Sequence, residues 1–359
     1  MKVIQSIYEQ GRYQVNYNGN LSYTFSASQG VFQGSILSPH LYNDYTENLL
    51  KDIEQAAPVG TTVHGYYSGI VAYADDIILM SPTIGGLQEL LDRCMKYFGN
   101  TAINLNVAKT EFIRSGTTKT PPENINNEYI SLDVHFITPQ DSLKHLGFLW
   151  NVKKSGAATL NDKNVTERIN KFWTVVYSLI KGGIRYCNPQ SIAALFESLA
   201  IPTLTYGLEL CSLTGTQMTD LDREGRKALK QLFNVSKHSR NHLNKIMNIH
   251  HISTIINNNK INLFTRLIQN EGTRRIVLAE MCEGNNHRSF VSDVVSLCNS
   301  VGYSMFDLLA GIRPKKILST YDEIPEETIH ALTECCTFWN VASKRCQFRD
   351  IMEEFVPRT

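Results

Sequence analysis

Gly69-Ile70-Val71-Ala72-Tyr73-Ala74-Asp75-Asp76-Ile77-Ile78-Leu79-Met80 is an apolar run broken at its centre by two adjacent carboxylates. Ionised side chains are costly to desolvate unless something compensates them. The run is too short to span a membrane, and the acidic pair interrupts it. The simplest geometry is two short strands, Ile70 to Ala74 and Ile77 to Met80, with both aspartates at the turn between them. Such a turn holds two carboxylates at the mouth of a site, where divalent metal ions neutralise them. Paired metals about 3.5–4 Å apart are a recurring device of phosphoryl-transfer chemistry. Asp-Asp turns are common, and taken alone the four residues Tyr73 to Asp76 favour an ordinary solvated turn.

The neighbours decide between the two. Upstream stands Gly30-Val31-Phe32-Gln33-Gly34-Ser35-Ile36-Leu37-Ser38-Pro39. Downstream stand Leu105-Asn106-Val107-Ala108-Lys109-Thr110-Glu111-Phe112 and then Leu143-Lys144-His145-Leu146-Gly147-Phe148. In this order and at these spacings, the four blocks resemble the palm of a reverse transcriptase, in particular the enzymes of non-LTR (LINE-type) retrotransposons. The resemblance runs to about Leu210, where Ile201-Pro202-Thr203-Leu204-Thr205-Tyr206-Gly207-Leu208-Glu209 looks like a stretch of those proteins beyond the palm. Single motifs carry a high false-positive risk, which four blocks in register reduce.

The resemblance implies an RNA-directed DNA polymerase that joins nucleotides by a two-metal mechanism. Its cofactor would be Mg2+, or Mn2+ in its place. Its partners would be an RNA template, a DNA primer and deoxynucleoside triphosphates. Asp75 would bind the catalytic metal directly and Asp76 would support the site. Tyr73 would pack beneath the turn near the primer end. Gln33 and Gly34 would lie along the template and the incoming nucleotide, and Lys109 would approach the leaving pyrophosphate. Leu146 and Gly147 would begin a primer-grip hairpin. Phe32 departs from the pattern, because relatives usually carry Arg or Pro there. The family's other metal-binding aspartate lies in a strand before the Gln-Gly loop, but Met1 to Phe32 contains Glu9 and no Asp. The expectation is therefore a truncated palm that does not polymerise DNA by itself, whose sugar selectivity stays undetermined. The alternative, from a different class, is a noncatalytic nucleic-acid-binding remnant of a retrotransposon protein.

Bulk properties agree with a folded chain. With 359 residues and 42% hydrophobic content, it is long enough for two or three domains and too apolar to be wholly disordered. Met1-Lys2-Val3-Ile4-Gln5-Ser6 leads into polar sequence, so no secretion signal is read, and no stretch is long enough for a membrane helix. The expected location is intracellular, in the nucleus or cytoplasm. Net charge is only +1, but the charge is unevenly placed. Residues 1–100 carry five Lys/Arg against nine Asp/Glu, residues 153–185 seven against two, and residues 223–240 six against one. Basic clusters beside an acidic site suit a protein that grips a phosphate backbone, with Lys163, Lys171 and Lys181 as the expected contacts. A solvated helix face explains any single cluster as well. The eight cysteines lack zinc spacing and read as buried reduced thiols.

The expected fold class is α+β. Residues 1–152 would form a partial palm, residues 153–240 a helical thumb-like region, and residues 241–359 a helical region of unknown role. Asn18-Gly19 marks a hairpin between strands Arg12–Tyr17 and Leu21–Phe25. Ser38 reads as an N-cap with Pro39 in the first turn. Gly85-Gly86 precedes a helix to about Phe98. Ile103 to Ile113 reads as a turn and a strand, residues 114–130 as a loop, and Ser131–Ile137 and Lys144–Trp150 as short strands. Val165 to Ile180 has apolar residues at helical spacing, and Asn188-Pro189 starts the next helix.

Overall fold

The computed structural model describes residues 2–26, 30–55, 59–63, 65–101, 103–114, 129–151, 157–239, 242–282, 289–310, 312, 316–320, 325–337 and 340–354. The chain divides into two compact units, Met1–Gln140 and Asp141–Thr359.

The first unit is α+β. It opens with α1 (Lys2–Glu9) and a hairpin of β1 (Asn16–Tyr17) and β2 (Asn20–Leu21). Both residues of its Asn18-Gly19 turn have positive φ, the signature of a primed hairpin turn. Helix α2 (Ser38–Glu54) has Leu37 at the cap position with no side-chain cap bond. Ser38 is thus the first helical residue and not the cap. Its hydroxyl donates backward to the Phe32 carbonyl at 2.5 Å and pins the preceding loop. Then come the hairpins β3 (Thr62–Val63) with β4 (Tyr66–Tyr67), and β5 (Ile70–Tyr73) with β6 (Asp76–Leu79). Helix α3 (Ile84–Gly99) starts one turn earlier than expected, because Thr83 caps it by accepting from the Gly86 N–H. Gly85 and Gly86 therefore lie inside the helix. A last hairpin joins β7 (Ile130–Leu132) to β8 (His135–Ile137), where the sequence suggested one strand.

Period-two alternation builds the core of this unit. Ile70, Ile77 and Leu79 turn one face of the β5–β6 hairpin onto Leu49 and Ile53 of α2 and Leu90, Cys94 and Phe98 of α3. A second cluster joins Leu91 and Phe112 to Ile130 and Leu132. Gln88 locks it: its side chain accepts from the Ser131 N–H at 2.7 Å and donates to the Ser131 carbonyl at 2.9 Å. The strand expected near Ile113 is reduced to one isolated bridge, Ile113 to Gln140. Before it, Val107–Lys109 forms a 3-10 turn, held where the Asn106 side chain accepts from the Lys109 N–H at 3.2 Å. Local side-chain bonds of this kind compete with strand pairing. Most of the expected loop at 114–130 lies outside the described residues.

The second unit begins with a hairpin of β9 (Ser142–His145) and β10 (Phe148–Asn151) and is otherwise helical. Helix α4 (Ala157–Lys181) ends at Gly182-Gly183, where Gly183 takes φ +82°. Asn188 caps α5 (Pro189–Leu195) by accepting from the Gln190 N–H at 2.8 Å. The helix runs on through a π turn at Phe196–Ala200 into α6 (Ile201–Thr205). Pro202 has no N–H to return to the previous turn, and the helix widens just before it. Helices α7 (Gly215–Leu232), α8 (His242–Ile246), α9 (Ile252–Gln269), α10 (Glu271–Cys282), α11 (Phe290–Ser300), α12 (Met305–Leu309), α13 (Glu326–Thr337) and α14 (Ala342–Glu354) follow. Phe172, Phe196, Leu204, Leu229 and Phe233 form one core, to which α13 and α14 return Leu332, Cys336 and Phe348. A smaller core gathers Phe264, Val294, Cys298 and Leu308. Buried Lys260 donates to Asp293 and to the Cys211 carbonyl, both at 2.8 Å, so its charge is compensated. No described helix is long and apolar enough to cross a membrane.

Candidate active site

In the β5–β6 hairpin, Tyr73 pairs with Asp76, Ala72 with Ile77, Val71 with Ile78 and Ile70 with Leu79. The turn residues are therefore Ala74 and Asp75, one position earlier than the sequence suggested. Asp75 stands at the tip, and Asp76 is the first residue of β6. Ala74 takes φ +52°, a region that normally favours glycine. Cross-strand partners share a face, so Asp76 lies with Tyr73 on the side opposite the core-facing Ile77. Tyr73 is 65% exposed.

Both aspartates are exposed, and among the described residues neither carboxylate has a cation or hydrogen-bond partner. The charge of Asp75 is felt by Tyr42 on α2, whose phenol is pushed up by burial and then by the Asp75 charge. Successive strand residues diverge, so the two carboxylates offer one ligand at the tip and one beside it. Among the described residues no third acidic, His or Cys side chain joins them. Mg2+ takes hard oxygen ligands, keeps several waters, and is commonly held by one or two carboxylates plus substrate phosphates. The donor set fits such an ion.

The Gln33-Gly34 loop lies between α1 and α2. Gly34 takes φ +80° with open space beside it. Phe32 stacks on Tyr8 at 4.3 Å and lies 5.8 Å from the Tyr13 ring, so the departure from the family pattern serves local packing. Lys109 ends the 3-10 turn and is exposed. No hydrogen bond or ion pair among the described residues joins Gln33, Gly34 or Lys109 to the acidic hairpin.

In the second unit, Leu146 and Gly147 form the β9–β10 turn, with φ +48° and +74°. Three functional candidates on α4 differ in their surroundings. Lys171 is engaged with Glu167 at 2.8 Å, and Glu167 also accepts from Lys144 of β9. Lys163 and Lys181 are exposed and lie eighteen residues apart. Eighteen residues are five full turns, so the two share one line about 27 Å apart. Four other members of the basic clusters are committed internally. Arg185 donates to the Gln231 carbonyl at 3.1 Å, Arg223 pairs with Asp220, Lys227 pairs with Glu224, and buried Lys230 donates to the Lys237 and Ser239 carbonyls. Lys153, Lys154 and Arg240 lie outside the described residues.

Arg168 and Tyr206 were not among the expected site residues. Arg168 lies on the apolar stripe of α4 with Val165, Phe172 and Val176, and a charge on a buried stripe is a readable signal. Of the cysteines, Cys94, Cys211, Cys298, Cys335 and Cys336 are buried, as expected, but Cys187 and Cys346 are exposed.

Comparison with known proteins places these features in context. Residues 1–149 match the family described as reverse transcriptase (RNA-dependent DNA polymerase). The chain is 34% identical over 106 residues to the retrovirus-related Pol polyprotein of the type-2 retrotransposable element R2DM of Drosophila melanogaster, covering 30% of this chain and 10% of that one. It is 25% identical over 219 residues to the Pol polyprotein of the type-1 retrotransposable element R2 of Popillia japonica, covering 59% and 29%. It is 26% identical over 218 residues to the RNA-directed DNA polymerase of the mobile element jockey of Drosophila melanogaster, covering 58% and 22%. The chain thus spans between 10% and 29% of the length of these relatives.

Proposed function

Residues 1–149 belong to the reverse transcriptase family, in the form carried by non-LTR retrotransposon polyproteins, and on that premise we propose that the chain is the RNA-directed DNA polymerase segment of such a polyprotein. It would act by two-metal nucleotidyl transfer on an RNA template, a DNA primer and deoxynucleoside triphosphates. The observation that carries this reading is the acidic hairpin, with Asp75 alone at the tip and Asp76 paired with Tyr73 beside it.

Asp75 would hold Mg2+ or Mn2+, and Asp76 would add a carboxylate from the adjoining face. When bound, the ions supply positive charge to the attacking and leaving oxygens of an in-line displacement. The exposed ring of Tyr73, on the Asp76 face, offers an apolar support for the primer end. The open flank of Gly34 lets a template or nucleotide approach the backbone closely, and Gln33 beside it can donate and accept. Exposed Lys109 is free to meet a departing pyrophosphate. Lys163 and Lys181 would hold the nucleic-acid backbone, with Lys171 sharing its charge with Glu167. The Leu146-Gly147 turn would touch the primer strand. On this reading the chain works in the nucleus or the cytoplasm.

A Mn2+ titration followed by electron paramagnetic resonance, with primer–template and nucleotide present, tests the metal role. Asp75→Ala is expected to lose the bound Mn2+ signal while keeping duplex affinity. Equal Mn2+ binding by the unmodified chain and the variant would refute it.

A further inference from the structure

The Leu146-Gly147 turn is held in an unusual way. Tight turns at hairpin tips commonly leave their carbonyls to water. Here both central carbonyls meet donors of the helical unit. The Tyr206 hydroxyl donates to the Leu146 carbonyl at 2.8 Å, and the Arg168 Nη2 donates to the Gly147 carbonyl. Arg168 is only 6% exposed, and its guanidinium lies over the Tyr206 ring at 4.5 Å. It forms no ion pair with a carboxylate among the described residues. A buried cation whose partners among the described residues are a carbonyl and a ring face is a demanding arrangement, because desolvation must be offset by well-placed partners.

The hairpin is gripped along its length as well. Asn164 of α4 accepts from the Leu149 N–H and donates to the Leu149 carbonyl, both at 3.1 Å. Gly207, at φ +76°, brings its backbone against Phe148, and a β-carbon there would sit 2.9 Å from the ring. The bonds at the strand suffice to attach the hairpin to α4. Those at the tip do something different: they set the place of the turn itself, where Leu146 is forced into the left-handed region.

We propose that Arg168 and Tyr206 are positioning residues, which fix the Leu146-Gly147 turn for contact with the primer strand. The proposal rests on the polymerase reading and adds to it the residues that act through the turn.

Two readouts on the full chain test it. The first is amide hydrogen exchange at residues 145–149. The second is photo-crosslinking of a DNA primer with a diazirine at its 3′ nucleotide, annealed to an RNA template, with crosslinks mapped by mass spectrometry. Tyr206→Phe removes one hydroxyl and keeps the ring under Arg168, so folding is preserved. It is expected to raise exchange about 5-fold, the equivalent of one ordinary hydrogen bond, and Arg168→Gln about 10-fold or more. Crosslinks to residues 145–148 should fall by similar factors. Overall duplex affinity should change by less than about 2-fold, because Lys163 and Lys181 still hold the backbone. Unchanged exchange in both variants overturns the clamp. Raised exchange with unchanged crosslinking overturns the positioning role and leaves a purely structural clamp. Failure of the unmodified chain to bind duplex at low salt overturns the polymerase reading and the positioning role with it, and the exchange data then show whether the clamp itself stands.

Discussion

Tyr73 and Asp76 are direct partners across the turn of the β5–β6 hairpin, which leaves Asp75 alone at its tip. The pairing separates two adjacent carboxylates by position. Asp76 is anchored in a strand ladder, and Asp75 projects from a turn whose preceding residue, Ala74, is conformationally strained.

That strain is measurable. A β-branched residue is far less tolerant of positive φ than alanine, so Ala74→Val is expected to destabilise the first unit by about 1–2 kcal/mol. Ala74→Gly relieves the strain but adds unfolded-state entropy of similar size, so its net change should stay within about 1 kcal/mol. Urea unfolding of the two variants checks this. A Val variant as stable as the parent would mean the turn is not held as described.

Primer extension on an RNA template with Mg2+ or Mn2+ is expected to give no product from the chain expressed alone. In-line transfer needs metals held against both the attacking and leaving oxygens, and Asp75 and Asp76 belong to one hairpin. Residues 1–32 add no aspartate. Removing one positioned electrostatic partner commonly lowers rate about 10²–10³-fold. Extension by the unmodified chain that vanishes in Asp75→Ala would show the two carboxylates to be sufficient.

Glu167 predicts an acid-sensitive link between β9 and α4. Hydrogen bonds from Lys144 and then Lys171 pull its carboxyl down from 4.5 to about 2. A depressed acid pKa stabilises the fold above the unfolded value, and that stability is lost as pH falls from about 4.5 toward 2. The group is partly exposed, so screening reduces the effect to about 1 kcal/mol. Glu167→Gln should therefore lower the urea midpoint at pH 7, more at low salt, and have little effect near pH 2. An equal loss at both pH values would contradict the ion-pair origin.

Duplex binding should weaken with salt through counterion release. Each phosphate contact contributes about 0.9 to the slope of log K against log salt. Lys163→Gln together with Lys181→Gln is expected to flatten the slope by about 1.8, with little change in base preference. Lys171→Gln should flatten it less, because Glu167 already holds that ammonium. A slope unmoved by the double variant would remove α4 as the phosphate-binding face.

Thiol labelling should discriminate sharply among the cysteines. Burial pushes Cys94 and Cys336 up to about 12 and Cys211 up to about 11, while Cys187 and Cys346 are exposed. Iodoacetamide is expected to modify Cys187 and Cys346 first, with the buried three reacting only on unfolding. Early labelling of Cys336 would show that α13 does not dock on the core.

Sequence by itself determined the acidic hairpin, the Asn18-Gly19 turn, the Asn188-Pro189 helix start and the mostly helical character of the described residues after Asn161. These features rest on local chemistry: turn residues, caps and apolar periodicity act within a few positions of themselves. Four blocks in register were also enough to indicate the family. The one-residue offset at Asp75-Asp76 was not legible, because hairpin register depends on which strand face meets α2 and α3. Nor was the separation of the α4 lysines into exposed Lys163 and Lys181 and engaged Lys171, since formal charge does not reveal which cations find partners. Only the tertiary structure could join Tyr206 to Leu146 across sixty positions of chain. The end of α6 and the middle of α4 bring a hydroxyl and a guanidinium to one hairpin tip, and no local pattern encodes such a meeting.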